Sequence, residues 1–193
     1  KIHTAAILGY RRGREYTLVL YPHVKRTLIE LVRRGLKLVI LSDAPRYQAW
    51  SRLCYLQLQH FFDHVITFED THVRKPDPTP FMKAIGLLGM RPDEVIMVGD
   101  WPERDMAGAT NVGIKTVYAK YGDTSGATVS GADYEINDIS ELLGIVDALT
   151  GAMNRALFGA STSQSISAPG APERDATSAR LVATRVLPVP PLP

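Results

Sequence analysis

Apolar positions in this chain fall into two patterns, short unbroken runs and stripes at helical spacing. The segments Leu36-Lys37-Leu38-Val39-Ile40-Leu41 and Val95-Ile96-Met97-Val98 are apolar runs bounded by turn residues, as in parallel strands buried on both faces. Further strands are predicted at Val65 to Phe68, Ile114 to Tyr118 and Tyr134 to Ile136. Between them lie the stripes. Val24, Leu28, Leu31 and Val32 recur at i, i+4, i+7 and i+8, with Pro22 before them, Arg33 and Arg34 in the last turn and Gly35 after it, a well-marked amphipathic helix. Tyr47, Trp50, Leu53, Cys54, Leu56 and Leu58 predict a second helix from Pro45 to about Gln59, and Phe81, Ile85 and Leu88 a third over 78–88 that stops at Gly89. A helix over about 3–14 ending near Gly13, a short one near 103–111 and one over about 139–149 complete the order.

Strand and helix alternating with short connections imply an α/β fold, a Rossmann-like parallel sheet covered by helices on both faces. From Gly151 the character changes to Ala, Ser, Thr and Pro, ending in Val186-Leu187-Pro188-Val189-Pro190-Pro191-Leu192-Pro193. Such a segment buries too little apolar area to offset its ordering entropy. Residues 150–193 are therefore expected to be a disordered tail or linker with polyproline II character at its end, and a plain linker is favoured over a proline-rich docking ligand.

Composition narrows the function classes. A length of 193 residues suits one domain, and 45% hydrophobic with 22% charged residues is ordinary globular usage. The balance of 22 basic and 20 acidic residues argues against nucleic acid or an anionic membrane as the main partner. The clusters Arg11, Arg12, Arg14 and Arg33, Arg34 lie at helix ends without interleaved aromatics, where the helix dipole explains the second of them. Cys54 stands alone, and the five histidines show no metal-ligand spacing. With no apolar run near 18 residues and no basic-then-apolar leader, a cytoplasmic location is expected.

The candidate chemistry lies at the ends of the two main strands. The run at Val95 stops in Gly99-Asp100, with Asp105 five positions on. A carboxylate at the C-terminal end of a buried strand opens onto the crevice where such sheets bind ligands, and a carboxylate pair there suits a hard cation such as Mg2+. The other run ends in Ser42-Asp43-Ala44-Pro45, a small hydroxyl and a helix start whose N–H groups suit phosphate oxygens. Between the two lies Arg74-Lys75-Pro76-Asp77-Pro78, a lysine held before a proline-stiffened helix. Singly, each has a bland reading: Ser42 as a cap, Lys75 as a solvated cation, Asp105 as a helix-dipole partner. Asp100 has few structural duties after a buried run and a glycine.

Strand-Ser42, then Lys75-Pro76, then strand-Gly99-Asp100-x₄-Asp105, in that order, resembles motifs two, three and four of the haloacid dehalogenase superfamily, in its subfamily I phosphatase-like branch. The resemblance covers roughly residues 1–149. It implies the tail end of a helical cap over 1–20 and the α/β core over 21–149. It also implies Ser42 and Lys75 as catalytic residues, with Ser42, Asp43, Ala44 and Lys75 gripping phosphate and Asp100 and Asp105 serving Mg2+. The activity implied is a Mg2+-dependent phosphomonoesterase acting on a small phosphorylated metabolite through an aspartyl-phosphate. In that family the nucleophile lies in an Asp-x-Asp motif on the first strand, and no two aspartates of this chain stand two residues apart. An N-terminally incomplete copy is therefore expected. It would lack the central strand between those carrying Ser42 and Asp100, be unstable or molten alone, and be inactive. The alternative is a non-catalytic phosphate- or Mg2+-binding module with a regulatory or scaffolding role. The sequence does not indicate the substrate or the oligomeric state.

Overall fold

The computed structural model describes His3, Ala5, Gly9, Gly13 and residues 18–124, 126–159 and 180–183. Helix α1 (Val24–Arg33) leads into β1 (Leu38–Leu41), α2 (Arg46–Tyr55), β2 (His64–Ile66), the one-turn α3 (Phe68–Thr71) and α4 (Pro78–Leu88). Strand β3 (Val95–Gly99) runs into a wide helical turn over Pro102–Met106 that continues as α5 (Ala107–Asn111). Then come β4 (Lys115–Ala119), β5 (Tyr134–Ile136), α6 (Leu142–Gly159) and β6 (Arg180–Ala183).

All pairings are parallel, and the sheet order is β2-β1-β6-β3-β4-β5. Successive side chains on a strand point to opposite faces, so each central strand feeds two cores. Leu38 and Ile40 of β1, with Ile96 and Val98 of β3, join Leu28 and Leu31 of α1 and Leu142 and Val146 of α6. Val39, Leu41, Val95 and Met97 join Phe81, Ala84, Ile85 and Leu88 of α4 on the other face. That two-sided burial explains the unbroken apolar runs.

The helix ends follow local chemistry. Asp77 caps α4 by accepting from the Thr79 N–H at 2.8 Å, and Gly89 ends it at φ 64°. Helix α2 stops at Tyr55, short of the expected end near Gln59, where Gln57 turns to φ 56°. The strand expected through Phe68 ends at Ile66 because Asp70 accepts from both the N–H and the hydroxyl of Thr67, closing a capping box that starts α3. The helix expected over 103–111 begins instead as the wide turn over 102–106. Of the helix expected over 3–14, His3, Ala5, Gly9 and Gly13 are helical and the rest lies outside the described residues.

The largest departure from expectation is at the C-terminal end of the chain. Helix α6 runs to Gly159, ten residues beyond its expected end. Arg180–Ala183, within the segment read as disordered, is a strand in the middle of the sheet, in the slot expected to stand empty. It pairs with β1 through Leu38↔Leu181, Val39↔Val182 and Ile40↔Ala183, and with β3 from Val95↔Arg180 to Val98↔Ala183. Without it, β1 and β3 would each expose a row of backbone donors and acceptors inside the sheet. Leu181-Val182-Ala183 is an apolar run short enough to escape a composition-based reading yet long enough to answer both ladders. The remainder of the expected tail, 160–179 and 184–193, lies outside the described residues.

A proline cannot donate to a ladder and is excluded from central strands. Val182→Pro is therefore expected to lower the Tm by about 5 °C, from a cost of about 1–2 kcal/mol. An unchanged Tm in Val182→Pro would remove β6 from the sheet.

The β4–β5 connection adds a pH dependence. Burial alone would push the Asp133 carboxyl up, but the Thr116 N–H and hydroxyl and the Lys115 ammonium outweigh it and hold the carboxyl below its ordinary range. A carboxyl depressed in the fold stabilises above its unfolded pKa of about 3.9 and loses that contribution as pH falls through the folded value. Thermal melts should therefore show stability falling below about pH 4, with a shallower acid loss in Asp133→Asn.

Candidate active site

The C-terminal ends of β1 and β3 lie on either side of β6 and open onto one crevice, whose lining includes Ser42, Asp43, Ala44, Lys75 and Asp105 of the residues expected to act. Lys75 is the pivot. It arrives on the loop before α4 through a cis Lys75–Pro76 bond, and its Nζ donates to the Leu41 carbonyl at 3.3 Å and to Asp105 Oδ1 at 2.7 Å. Both side chains are almost wholly buried, 5% and 2% exposed. Lys75 is thus not a solvated surface cation.

Asp105 reaches Lys75 because the wide turn after β3 folds it back over the strand end. Its Oδ2 accepts from the Trp101 N–H at 3.2 Å, and its side chain rests on Gly99. A Cβ built on Gly99 would stand 2.5 Å from Asp105 Oδ2 and 2.6 Å from its Cβ, so glycine is required there by contact. A similar close fit occurs at Gly108, where a Cβ would meet the Phe81 ring and the Pro76 backbone.

On the β1 side, the Ser42 N–H donates to the Ile66 carbonyl at 2.9 Å, and Ser42 Oγ accepts from the Ala44 N–H at 3.2 Å. Asp43 does something the sequence reading did not anticipate. Its Oδ1 accepts from the Lys75 N–H at 3.1 Å and its Oδ2 lies 3.6 Å from Arg104 Nη1, so it ties the lysine loop to the β3 side of the crevice. The cavity between them, about 100 Å³, is lined by Ser42, Asp43, Arg52, Lys75, Trp101 and Arg104, among others. Arg52 and Arg104 were not singled out from sequence, because each reads as an ordinary helix arginine until the fold brings them together.

Asp100, directly after β3, is buried at 5% exposed and is not among the residues lining this cavity. Its neighbours Tyr21 and Tyr121 pack edge to face at 5.1 Å. Burial pushes both hydroxyls' pKa up, and the negative charge of Asp100 pushes the same way. Among the described residues, Asp100 Oδ1 and the Tyr121 hydroxyl are buried atoms with no hydrogen-bond partner, while Asp100 as a residue keeps other interactions. A hard cation would satisfy that Oδ1. Among the described residues no three His, Cys, Asp or Glu side chains gather into a cation-binding group. Mg2+ here would thus take few protein carboxylates and complete its shell with water, backbone or phosphate oxygens, as it commonly does. Asp105 has one oxygen on Lys75 and the other on the Trp101 N–H.

A family model described as haloacid dehalogenase-like hydrolase matches residues 6–119. The chain belongs to the haloacid dehalogenase-like hydrolase family. Over 150 residues it is 33% identical to the glyceraldehyde 3-phosphate phosphatase of Pyrococcus furiosus, covering 76% of this chain and 62% of that protein. Over 133 residues it is 35% identical to the pyrophosphatase PpaX of Bacillus mycoides, covering 68% and 61%. The chain thus spans about three fifths of the length of these two relatives. The crystal structure of a HAD phosphatase from Thermococcus onnurineus superposes with a TM-score of 0.60 at 38% identity, over 65% of this chain and 57% of that one. Family membership and the Rossmann-like α/β sheet agree with the sequence expectation.

Removing one member of a buried ion pair strands the other charge, typically at about 3–5 kcal/mol. Asp105→Ala is therefore expected to cost about 3 kcal/mol or more in denaturant unfolding, and Lys75→Met introduced with it should recover much of the loss. Gly99→Ala should destabilise too, through the Asp105 side chain it displaces. Additive single losses in the Asp105/Lys75 double-mutant cycle would show that the pair is not coupled.

Proposed function

We propose that this chain carries the phosphate-handling half of a Mg2+-dependent phosphomonoesterase site for a small phosphorylated metabolite. The observation that supports this most is the buried Lys75, held by Asp105 in the strand crevice that Ser42, Asp43 and Ala44 also line. Phosphoryl transfer needs fixed positive charge and donors where the transferring group spreads its negative charge. Lys75 supplies the charge. The Ser42 hydroxyl and the Asp43 and Ala44 N–H groups supply donors, the Ala44 N–H by exchanging Ser42 Oγ for a phosphate oxygen. Asp100 holds the cation and Asp105 orients Lys75 behind it. When bound, Mg2+ shields carboxylate from phosphate and polarises the phosphoryl oxygens. The names of the relatives, phosphatases of a triose phosphate and of pyrophosphate, are consistent with a small substrate.

A second reading has its own observation. No two aspartates stand two residues apart, and Arg180–Ala183, the strand between β1 and β3, contains no carboxylate. A chain that binds phosphate and Mg2+ without a nucleophile would serve as a regulatory or scaffolding module. Both readings require binding; only the first requires turnover.

The test is calorimetric titration with inorganic phosphate, with and without Mg2+, alongside p-nitrophenyl phosphate hydrolysis by this chain and by any longer product of its coding sequence. Mg2+ is expected to strengthen phosphate binding, and Lys75→Met and Asp100→Asn should each weaken it at least about tenfold. Turnover in any product carrying an Asp-x-Asp pair supports the enzyme, and binding without turnover supports the module. Absence of phosphate binding in a folded protein would end both readings.

A further inference from the structure

Helix α2 is apolar on both sides. Ala49 and Leu53 are buried, Leu53 in the core with Leu38 and Ile40 of β1. The outward face, where a surface helix ordinarily carries charged and polar residues, presents Tyr47, Trp50 and Tyr55 at 77%, 40% and 49% exposed. With Arg46, Ser51 and Cys54, these rings line a surface groove of about 560 Å³. Aromatic rings with donors at their edges suit a polyproline II segment: the rings take the prolines, and the edge N–H and O–H groups take backbone carbonyls that such a helix leaves unbonded.

This chain carries such a segment. Leu187-Pro188-Val189-Pro190-Pro191-Leu192-Pro193 contains Pro188-x-x-Pro191 and Pro190-x-x-Pro193, and at three residues per turn the two members of each pair fall on one face. Composition alone favours a plain linker there, but β6 fixes where the segment starts. Ala183 is in register with Ile40, and α2 begins at Arg46, so the chain leaves the sheet at the edge from which α2 starts. In polyproline II form, residues 187–193 span about 22 Å, enough to cover the roughly 15 Å of α2. Thr184, Arg185 and Val186 remain as the bridge, about 10 Å when extended.

We propose that residues 187–193 dock intramolecularly, in polyproline II form, on the aromatic face of α2. So short a tether gives the segment an effective concentration on the order of 1 mM at the groove, so weak docking suffices. A second copy of the chain, at micromolar protein, is about a hundredfold or more less available, which favours the chain's own segment as the occupant. Because the docked segment follows β6, it also holds that short strand in its slot from the C-terminal side.

Cys54 is the chain's single thiol and lies in the groove, so its rate of alkylation by iodoacetamide reads the cover directly. A thiol that reacts only when uncovered slows in proportion to the uncovered fraction. In the full chain at low micromolar concentration, the rate is therefore expected to be at least about threefold below that of Pro188→Ser/Pro191→Ser. Pro169→Ser/Pro172→Ser, in the same tail but outside the motif, should leave the rate unchanged. Tyr47→Ala should raise the rate as the Pro188/Pro191 pair does, and combining the two should add nothing further. A synthetic peptide of residues 185–193, at millimolar concentration, should restore the slow rate to Pro188→Ser/Pro191→Ser. Thermal melts identify any variant that fails to fold, and the peptide arm needs only the proline variant if Tyr47→Ala is among them. Equal rates in the full chain and Pro188→Ser/Pro191→Ser, or a peptide without effect, overturn the docking. Protection that strengthens with protein concentration assigns the groove to a second copy and overturns the intramolecular contact.

Discussion

The buried Lys75–Asp105 pair is the constraint around which the crevice is arranged. Two charges out of water are tolerable only when their geometry is good and their remaining valences are met. The fold meets those conditions from the ends of two strands, β1 and β3. The Leu41 carbonyl at the end of β1 takes a second Lys75 proton, and the Trp101 N–H takes the second Asp105 oxygen. The bare backbone of Gly99 gives the Asp105 side chain room to lie against β3. Asp43 fixes the lysine loop from its backbone side. Leu41 and Asp43 belong to the end of β1 and Gly99 and Trp101 to the end of β3, so the pair couples both strand ends to the loop before α4. Under the proposed phosphate-site reading this is preorganisation: the lysine charge is placed before any ligand arrives.

Much of this was legible in the sequence, and the legible part has a common cause. β1, β3, β4 and α4 were read nearly to the residue because each carries its signal locally, in an apolar period and a glycine or proline at its end. Asp100 and Ser42 were legible for the same reason, as polar residues where an apolar run breaks off. What escaped depends on partners distant in the chain. Asp43 ties to Lys75 across 32 positions, and Arg104 and Arg52 share a cavity only once α2 and the β3 turn face each other. The short helix α3 escaped because Thr67 and Asp70 override the extended tendency of Val65 to Phe68. Trp101 was read as either a wall of the pocket or packing. Its stacked arginine and its anchor on Glu103 give it a definite role as a wall.

The strand β6 illustrates the same limit more sharply. Composition described residues 150–193 correctly as poor in apolar content, but composition averages over a segment, and a strand in a parallel sheet needs only a handful of residues in register. What selects Arg180–Ala183 is the pair of ladders offered by β1 and β3, one on each side. Demand for a partner at a central edge is a property of the sheet, invisible in the segment that meets it.

That arrangement separates two requirements that a single strand could have served together. The middle of a parallel sheet needs backbone partners on both sides, and any sequence able to extend can supply them. Catalysis by the family's covalent route also needs a carboxylate at the C-terminal end of that strand, between Ser42 and Asp100. Arg180–Ala183 meets the first requirement through seven register pairs with its neighbours. It brings no acidic residue to the second, and the last acidic residue of the chain is Asp175, before the strand begins. Sheet completion and nucleophile supply are therefore distinct requirements: the backbone ladders on β1 and β3 are met by any adequate strand between them, whatever side chains that strand carries.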